Sequence, residues 1–325
     1  MIKLVQNEMM KILARKRLIV IALITAVLVG LFTYAQYKQT MERQEKLGTD
    51  WRAQVQAQVV DISNRLSSSR MSEDLRERLQ ITLKQSQYYL DHDINPNEPG
   101  APSFVRMFIE NSGSMFIPLL VMVIASDLVS SEHTLGSIKL LLTRPVKRWR
   151  ILSSKYIALV LSISIIIAVV GLLAYLISGL VFGYKGMNAP ILTGFTAEGG
   201  SLDTSQVRLI SQWKFIFMDF GLVWFVAIVI GTLSFMLSVL IRSTAAGMGI
   251  MLAALISGSI LSNMVSAWEF AKYLFMVNLN LTGYLSGAAP PIEGMTLLFS
   301  ITLLAFWWLA GFIVSFLVFT NQDVY

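Results

Sequence analysis

The length of the stretches without a charged side chain constrains this fold more than any other feature. Four such stretches, of 20 to 29 residues each, cover 18–37, 156–184, 243–268 and 294–322. A fifth stretch, 215–241, is interrupted only by Asp219. About 20 apolar residues in a helix cross the hydrocarbon core of a bilayer, and a helix satisfies its own backbone hydrogen bonds there. Because only 14% of the chain is charged, against about a quarter in soluble domains, we predict an all-α membrane protein.

The hydropathy pattern predicts six transmembrane helices and the segments that join them. The predicted spans are 18–37, 112–129, 151–182, 215–241, 245–268 and 294–319. The predicted connections are an extracellular helical hairpin at 38–106, a cytosolic loop at 130–150, an irregular extracellular loop at 183–214, an outer segment at 269–293 and a cytosolic tail at 320–325. Within 1–17, Ile2, Val5 and Met9 share one face and the cations lie largely elsewhere, which predicts an amphipathic helix at the membrane surface.

The distribution of charge predicts the orientation of the chain. With the N-terminus in the cytosol, the cytosolic segments are rich in Lys and Arg, which favour that side of the membrane. The N-terminal segment and the apolar run after it also resemble a signal peptide. That run is longer than a usual signal-peptide core, so we favour an uncleaved anchor helix. Both termini are then cytosolic, in a multi-pass protein of the cytoplasmic membrane.

Residues 273–292 allow two interpretations, because they contain no charged side chain and could form a seventh span. Asn278, Asn280 and the Pro290-Pro291 pair argue against a continuous helix in lipid. Backbone of this kind is tolerated at membrane depth only where protein or water shelters it. We therefore expect a re-entrant or surface-lying element on the outer side.

Two apolar stripes at helical spacing predict a helical hairpin in the long outer segment. The first stripe consists of Trp51, Val55, Val59, Ile62 and Leu66, and the second of Leu75, Leu79, Leu83, Ser86 and Leu90. Ser72 is placed to cap the second helix. One apolar face on each helix is typical of a packed, solvated pair. We expect such a pair rather than a substrate-binding domain.

Residues that could support catalysis or metal binding are few. The chain has no cysteine and two histidines, His92 and His133, which excludes disulfides and thiolate metal sites. Phosphate-binding, nucleophile-elbow and zinc-protease motifs are absent, so we expect no enzyme and no cofactor in this chain. The net charge of +6 is explained by membrane topology rather than by nucleic acid. For Asp127 and Asp219, near span ends, snorkelling or a local hydrogen bond is the expected interpretation.

Glycines within the predicted spans are expected to permit close helix approach. They are Gly171, Gly179, Gly231, Gly247, Gly249 and Gly258.

The segment HTLGSIKLLLTRPVKRWR, residues 133–150, combines five cations with a short apolar face. Leu135, Ile138 and Leu142 share one side of a helix that Pro145 ends. A helix this short is marginal in water and needs a surface to hold it. The alternatives are a lipid-surface anchor, a ligand site and a docking element for a soluble partner.

The same region carries a motif that resembles a known family, the ABC-2 type transporter permeases. The residues that carry the resemblance are Glu132, Gly136, Leu141, Leu142, Pro145, Val146, Arg148, Ile151 and Lys155. The amphipathic N-terminus, the six spans, the large outer segment and the short tail are similar as well, so the resemblance covers essentially the whole chain. The long outer hairpin departs from the compact loops of the family's polysaccharide exporters.

The resemblance implies a permease subunit that exports a lipid, peptide or drug-like substrate. It would pair with a second permease subunit, identical or paralogous, and with two ATPase subunits that hold the ATP and Mg. The implied ATPase-coupling residues are Glu132, Leu135, Gly136, Ile138, Lys139 and Leu142. The residues that would anchor the loop to membrane lipid are Arg144, Lys147, Arg148 and Arg150.

A function from a different class stays open, namely a non-transporting membrane sensor or scaffold whose outer hairpin binds a ligand or partner. A third alternative, a membrane enzyme acting on lipid, is disfavoured by the missing catalytic groups. A co-purifying ATPase without spans would favour the transporter over the sensor.

Overall fold

The computed structural model describes residues 1–67, 71–96, 98–134, 146–198, 201–241, 243–264 and 268–321. The α-helices are α1 (Ile2–Ala14), α2 (Arg17–Leu47), α3 (Trp51–Leu66), α4 (Glu73–Asp91), α5 (Ala101–Ser112), α6 (Phe116–Ala125), α7 (Ser130–Thr134), α8 (Arg148–Phe182), α9 (Gln212–Leu240), α10 (Thr244–Met264), α11 (Thr282–Leu285) and α12 (Leu297–Asn321). The strands are β1 (Pro190–Thr193), β2 (Thr196–Glu198), β3 (Ser201–Asp203) and β4 (Arg208–Ser211). The protein is mostly helical, as the sequence predicts.

Five helices in the described part of the chain are long and apolar enough to cross a membrane: α2, α8, α9, α10 and α12. A further candidate is a bent pair, α5 with Phe116–Glu132, whose two halves differ in direction by 62°. The chain is therefore a multi-pass helical membrane protein. Among the five long helices, α9 is the most buried, and α8 comes next.

The region predicted as the second span, 112–129, is interrupted in the structure. The helix begins earlier, at Ala101, and α5 and α6 are separated at 113–115. Pro118 lies in the first turn of α6, where its missing N–H removes no intrahelical hydrogen bond. A Cβ on Gly113 would lie 2.6 Å from Cγ2 of Val223, so the break brings the end of α5 close to α9.

The outer loop at 183–214 contains short paired strands, which corrects the expected irregular loop and adds a small β part to a mostly helical fold. Strand β1 pairs with β4 and β2 pairs with β3, both antiparallel. The strands have only three or four residues, which is too short for an alternating pattern to stand out in the sequence.

Residues 273–292, all of which the structure describes, form no long helix. The chain makes 3₁₀ turns at Glu269–Tyr273 and Phe275–Val277, and then the four-residue helix α11. Asn278 Nδ2 donates to the carbonyl oxygens of Lys272 and Leu274, at 2.8 and 2.9 Å. In a continuous helix these carbonyl groups would accept hydrogen bonds from backbone N–H groups instead.

Contacts between distant segments divide the molecule into two ends. At the end that we call the hairpin end, Gln85 Nε2 on α4 donates to the carbonyl oxygens of Ser286 and Gly287, at 3.2 and 2.9 Å. At the other, the N-terminal end, Arg148 Nη1 donates to the carbonyl oxygen of Thr320 at 3.3 Å. The start of α8 therefore lies beside the end of α12.

Candidate functional site

Helix α1 lies at the N-terminal end and has two different faces. Ile12 and Glu8 are buried, whereas Ile2, Met10 and Leu13 are exposed. Exposed apolar residues on one face are typical of a helix that rests on a membrane surface. The buried side therefore contributes to the internal contacts of the protein.

The buried side of α1 helps to form a cluster of two lysines and two glutamates, which we call the Lys–Glu cluster (Glu8, Lys11, Glu132 and Lys155). Lys155 Nζ lies 2.9 Å from Glu8 Oε2 and 2.8 Å from Glu132 Oε1, and donates to the carbonyl oxygen of Leu128 at 3.1 Å. Lys11 Nζ donates to Oε1 of both glutamates at 2.9 Å. The four charges cancel.

Because the Lys–Glu cluster is buried, its charged groups are stabilised by one another more than by water. The side chain of Lys155 is 1% exposed, so its ammonium group depends on these partners rather than on water. Burial lowers the pKa of Lys11, but the hydrogen bonds and charges of Glu8 and Glu132 outweigh it and hold that pKa above its ordinary value. Lys11 therefore acts as a cation that fixes α1 to the rest of the fold.

The cluster joins three parts of the chain that are distant in sequence. Glu8 and Lys11 come from α1, Glu132 from α7, and Lys155 from α8, about two turns after its start. Glu132 Oε2 has no hydrogen-bond partner among the described residues. A cavity of about 30 Å³ beside it has room for about one water molecule.

A second set of ion pairs fixes the junction between α1 and α2. Arg15 and Arg17 both contact Asp127 Oδ2, with Arg17 Nη1 at 2.8 Å, and Arg15 also donates to Ser131 Oγ at 3.1 Å. Between the arginines, Lys16 adopts a left-handed conformation with φ of 55°. The Asp127 side chain is 9% exposed, so ion pairing rather than snorkelling accommodates it.

Replacing Asp127 by asparagine is expected to lower the free energy of unfolding by about 1–2 kcal/mol. The loss stays moderate because the arginine side chains are 35% and 32% exposed, and water can solvate them once the carboxylate is gone. Thermal unfolding of the detergent-solubilised protein measures the change. The exposed Asp50→Asn variant, which loses a carboxylate charge but keeps a side-chain oxygen to cap α3, is the control.

The structure places only some of the predicted site residues. Glu132 is buried within the Lys–Glu cluster, so its side chain holds the base of the loop instead of lying on an open surface. The other predicted coupling residues and one predicted anchor lie outside the described residues: Leu135, Gly136, Ile138, Lys139, Leu142 and Arg144.

The remaining predicted anchors lie at the start of α8. Lys147 and Arg150 are exposed, and Arg148 is half-buried. Arg150 Cζ lies 5.3 Å from the ring centre of the exposed Trp149. A tryptophan flanked by cations at a span end is typical of the membrane interface, which is compatible with the predicted contact with lipid.

Sequence analysis missed the pairing of Glu8, Lys11 and Lys155. Two weak signals were present: Glu8 is the only acid in 1–17, and Lys155 is the last cation before a long apolar stretch. Neither signal identifies a partner, because the three groups lie on different helices. Likewise, the pairs that Asp127 makes with Arg15 and Arg17 join residues more than a hundred positions apart.

Comparisons with known proteins place the chain in a family. A family model described as "Protein of unknown function (DUF2705)" matches residues 75–325. The chain belongs to this family. The matched range contains Glu132 and Lys155 of the Lys–Glu cluster, and it begins after α1.

Two relatives from Bacillus subtilis (strain 168) extend the comparison. "Uncharacterized protein YhcI" is 24% identical over 326 residues, which cover 100% of this chain and 99% of that protein. "Uncharacterized membrane protein YdbK" is 30% identical over 213 residues, which cover 65% of this chain and 79% of that protein. The name of the second relative agrees with the multi-pass architecture described above.

Proposed function

We propose that this chain is the membrane subunit of an ATP-driven exporter of the ABC-2 type. In this proposal the loop at 130–150 docks on a separate ATPase subunit, which holds the ATP and Mg. ATP-driven closure of two ATPases moves the loops, and the spans of a dimer of permease subunits open to the outside. The second permease subunit is either a copy of this chain or a paralogue.

The Lys–Glu cluster is the observation that carries this proposal. It joins α7, which precedes the loop, to α1 and to α8, which follows the loop. A force applied to the loop would therefore act on a span directly, because Glu132 and Lys155 are in contact at 2.8 Å. An ATPase outside the membrane can shift the helices only if it contacts the permease differently in its two states. The link between the loop and α8 would pass that difference in contacts on to a span.

The arrangement of the ends supports six crossings with both termini in the cytosol. Helix α1 and the end of α12 both lie at the N-terminal end, so the number of crossings between them is even. Five long helices and one bent pair satisfy that condition. The cations at the start of α8 lie at the same end, and the excess of positive charge favours the cytosol there.

Substitution of Leu135 by aspartate tests the docking role of the loop. With the ATPase subunit at limiting concentration, we expect the purified variant to retain about tenfold less ATPase than the wild type. The reason is that a charge replaces an apolar contact at a docking surface. Affinity purification from native membrane, with identification of the bound proteins and ATP hydrolysis as readouts, measures this loss.

The matched comparison is a variant in which Lys147 and Arg150 are both replaced by glutamine. Lipid anchoring predicts that this variant disturbs insertion or orientation while the ATPase remains bound. If the purified wild-type protein brings down no ATPase, the exporter proposal is wrong.

The second candidate function, a membrane sensor or scaffold, is favoured by the attachment of the hairpin. Arg78 Nη2 donates to the carbonyl oxygen of Ser262 at 3.3 Å, and Tyr88 packs edge-on against Phe195 with ring centres 5.5 Å apart. Helix α4 is thus fixed to the membrane part of the protein, and a ligand on the hairpin could act on the spans. A wild-type protein that binds an outer ligand and retains no ATPase would support this candidate.

A further inference from the structure

The contact between α5 and α9 contains buried polar atoms without partners. Both carboxylate oxygens of Asp219, Oε1 of Glu110 and Nε of Arg106 have no hydrogen-bond partner among the described residues. Asp219 is fully buried, with 0% of its surface exposed. The expected snorkelling or local hydrogen bond of Asp219 is therefore wrong, and a buried carboxylate in this situation needs another explanation.

Arg106, Glu110 and Asp219 form one electrostatic group. Arg106 and Glu110 lie one turn apart on α5, with Nη1 and Oε1 separated by 3.9 Å. Arg106 Cζ lies 5.7 Å from the ring centre of Phe215, which is one turn before Asp219 on α9. Arg106 and Glu110 are the charged groups that act on Asp219, and Tyr89 of α4 is a further titratable group beside these two.

The charges in this group do not balance. With both acids ionised, two carboxylates face one guanidinium, which leaves one negative charge buried. An uncompensated buried charge is strongly unfavourable, whereas a neutral carboxyl group costs much less to bury. One bound proton restores neutrality, and Asp219 is the better position for it because Arg106 lies beside Glu110.

We propose that Asp219, Glu110 and Arg106 form a proton-binding site between α5 and α9. In the resting protein one Asp219 oxygen carries the proton, Glu110 is ionised, and Arg106 compensates Glu110. The proton comes from water at the hairpin end and returns to it, so no other reactant is consumed.

A cavity lined in part by polar side chains lies between Arg106 and the helical hairpin. The cavity has a volume of about 160 Å³, enough for several water molecules, and Arg106 is one of its lining residues. Its other walls include Thr40 and Gln54 from α2 and α3, and Glu98 before α5. Water in the cavity can reach the guanidinium of Arg106. Because a guanidinium keeps its protons, in this proposal the proton moves between that water and the carboxyl groups of Glu110 and Asp219 without passing through Arg106.

A bound metal cation fits this site less well than a proton. Hard cations such as Ca²⁺ and Mg²⁺ take about six or more oxygen ligands. In the described part of the chain no group of three or more His, Cys, Asp or Glu side chains is placed to hold a metal ion. The unpaired oxygens of two carboxylates are too few to coordinate such a cation, but one of them is enough to bind a proton.

The Asp219→Asn variant tests the proposal by infrared absorption. Near neutral pH the wild-type protein in detergent should show the C=O band of a protonated carboxyl group, and this band should shift after transfer to D₂O. Asp219→Asn should remove the band. The control is Asp127→Asn, which removes an ion-paired carboxylate at the other end and should leave the band unchanged.

Thermal unfolding as a function of pH provides the second readout. An aspartate in the unfolded chain is ionised above about pH 4, so a protonated Asp219 makes the folded state bind more protons than the unfolded state. Wild-type stability should therefore fall as pH rises above that value, and Asp219→Asn should reduce this slope. Near neutral pH the variant should melt at least about 2–4 °C higher than the wild type.

Three results would overturn the proposal. The first is a band that remains in Asp219→Asn together with a lower melting temperature, which would mean that Asp219 is ionised and paired. The second is a band that does not shift in D₂O, which would mean that the proton is not exchangeable. The third is stabilisation of the wild type, but not of the variant, by NaCl over choline chloride at equal ionic strength, which would mean a cation site.

Discussion

Replacing Lys155 by methionine is expected to lower the free energy of unfolding by about 3–5 kcal/mol. Methionine is close to lysine in size, so the packing of α8 changes little. The loss of stability then comes from the missing positive charge. Glu8 and Glu132 would remain buried, at 6% and 8% side-chain exposure, with Lys11 as their shared partner. The carbonyl oxygen of Leu128 would also lose a donor.

Thermal unfolding in detergent measures this effect, with an expected drop in apparent melting temperature on the order of 10 °C. Lys147→Met is the matched control, because Lys147 is exposed at the start of α8 and should cost little. The double variant Glu8→Gln/Lys155→Met should recover part of the loss, since it removes the one negative charge that Lys11 alone does not compensate. Equal melting temperatures for Lys155→Met and Lys147→Met would contradict the structural role given to the Lys–Glu cluster.

Replacing Gly231 by leucine is the second substitution with a large expected effect, about 1–3 kcal/mol of destabilisation. A Cβ on Gly231 would lie 2.7 Å from Cδ1 of Ile163 and 3.1 Å from Cγ1 of Val121. The larger leucine side chain would therefore force α6 and α8 away from α9. The same unfolding measurement reports the change.

Gly221 on the same helix is the matched control for Gly231. Apart from the adjoining backbone of α9, no atom of the described residues lies within 4 Å of a Cβ built on Gly221. Both substitutions improve helix propensity by a similar amount. The difference in unfolding free energy between Gly231→Leu and Gly221→Leu therefore measures the effect of packing alone. A Gly221→Leu variant that is as unstable as Gly231→Leu would contradict the packing described for α9.

The glycines show where sequence reasoning reaches its limit. All six glycines within the predicted spans were expected to permit close helix approach. Gly231 does so, but a Cβ on Gly249 would meet no atom within 4 Å. The residue type indicates that close approach is possible, and only the positions of the neighbouring helices decide whether it occurs.

The acids illustrate the same limit. Asp127 and Asp219 both lie near predicted span ends, and the sequence supports one interpretation for both. In the structure Asp127 pairs with Arg15 and Arg17, whereas Asp219 is fully buried without a hydrogen bond among the described residues. The difference comes from partners on other helices, whose proximity has no local signal in the sequence.

The sequence by itself determined that this is a mostly helical, multi-pass membrane protein, because a bilayer requires long apolar helices and these are visible as uncharged stretches. It also indicated the amphipathic α1, since the period of a helix is a local property. Only the tertiary structure decided the break between α5 and α6, the paired strands at 190–211 and the partners of Lys155. These features depend on contacts between segments far apart in the chain, and their energies are set by burial that no local pattern records.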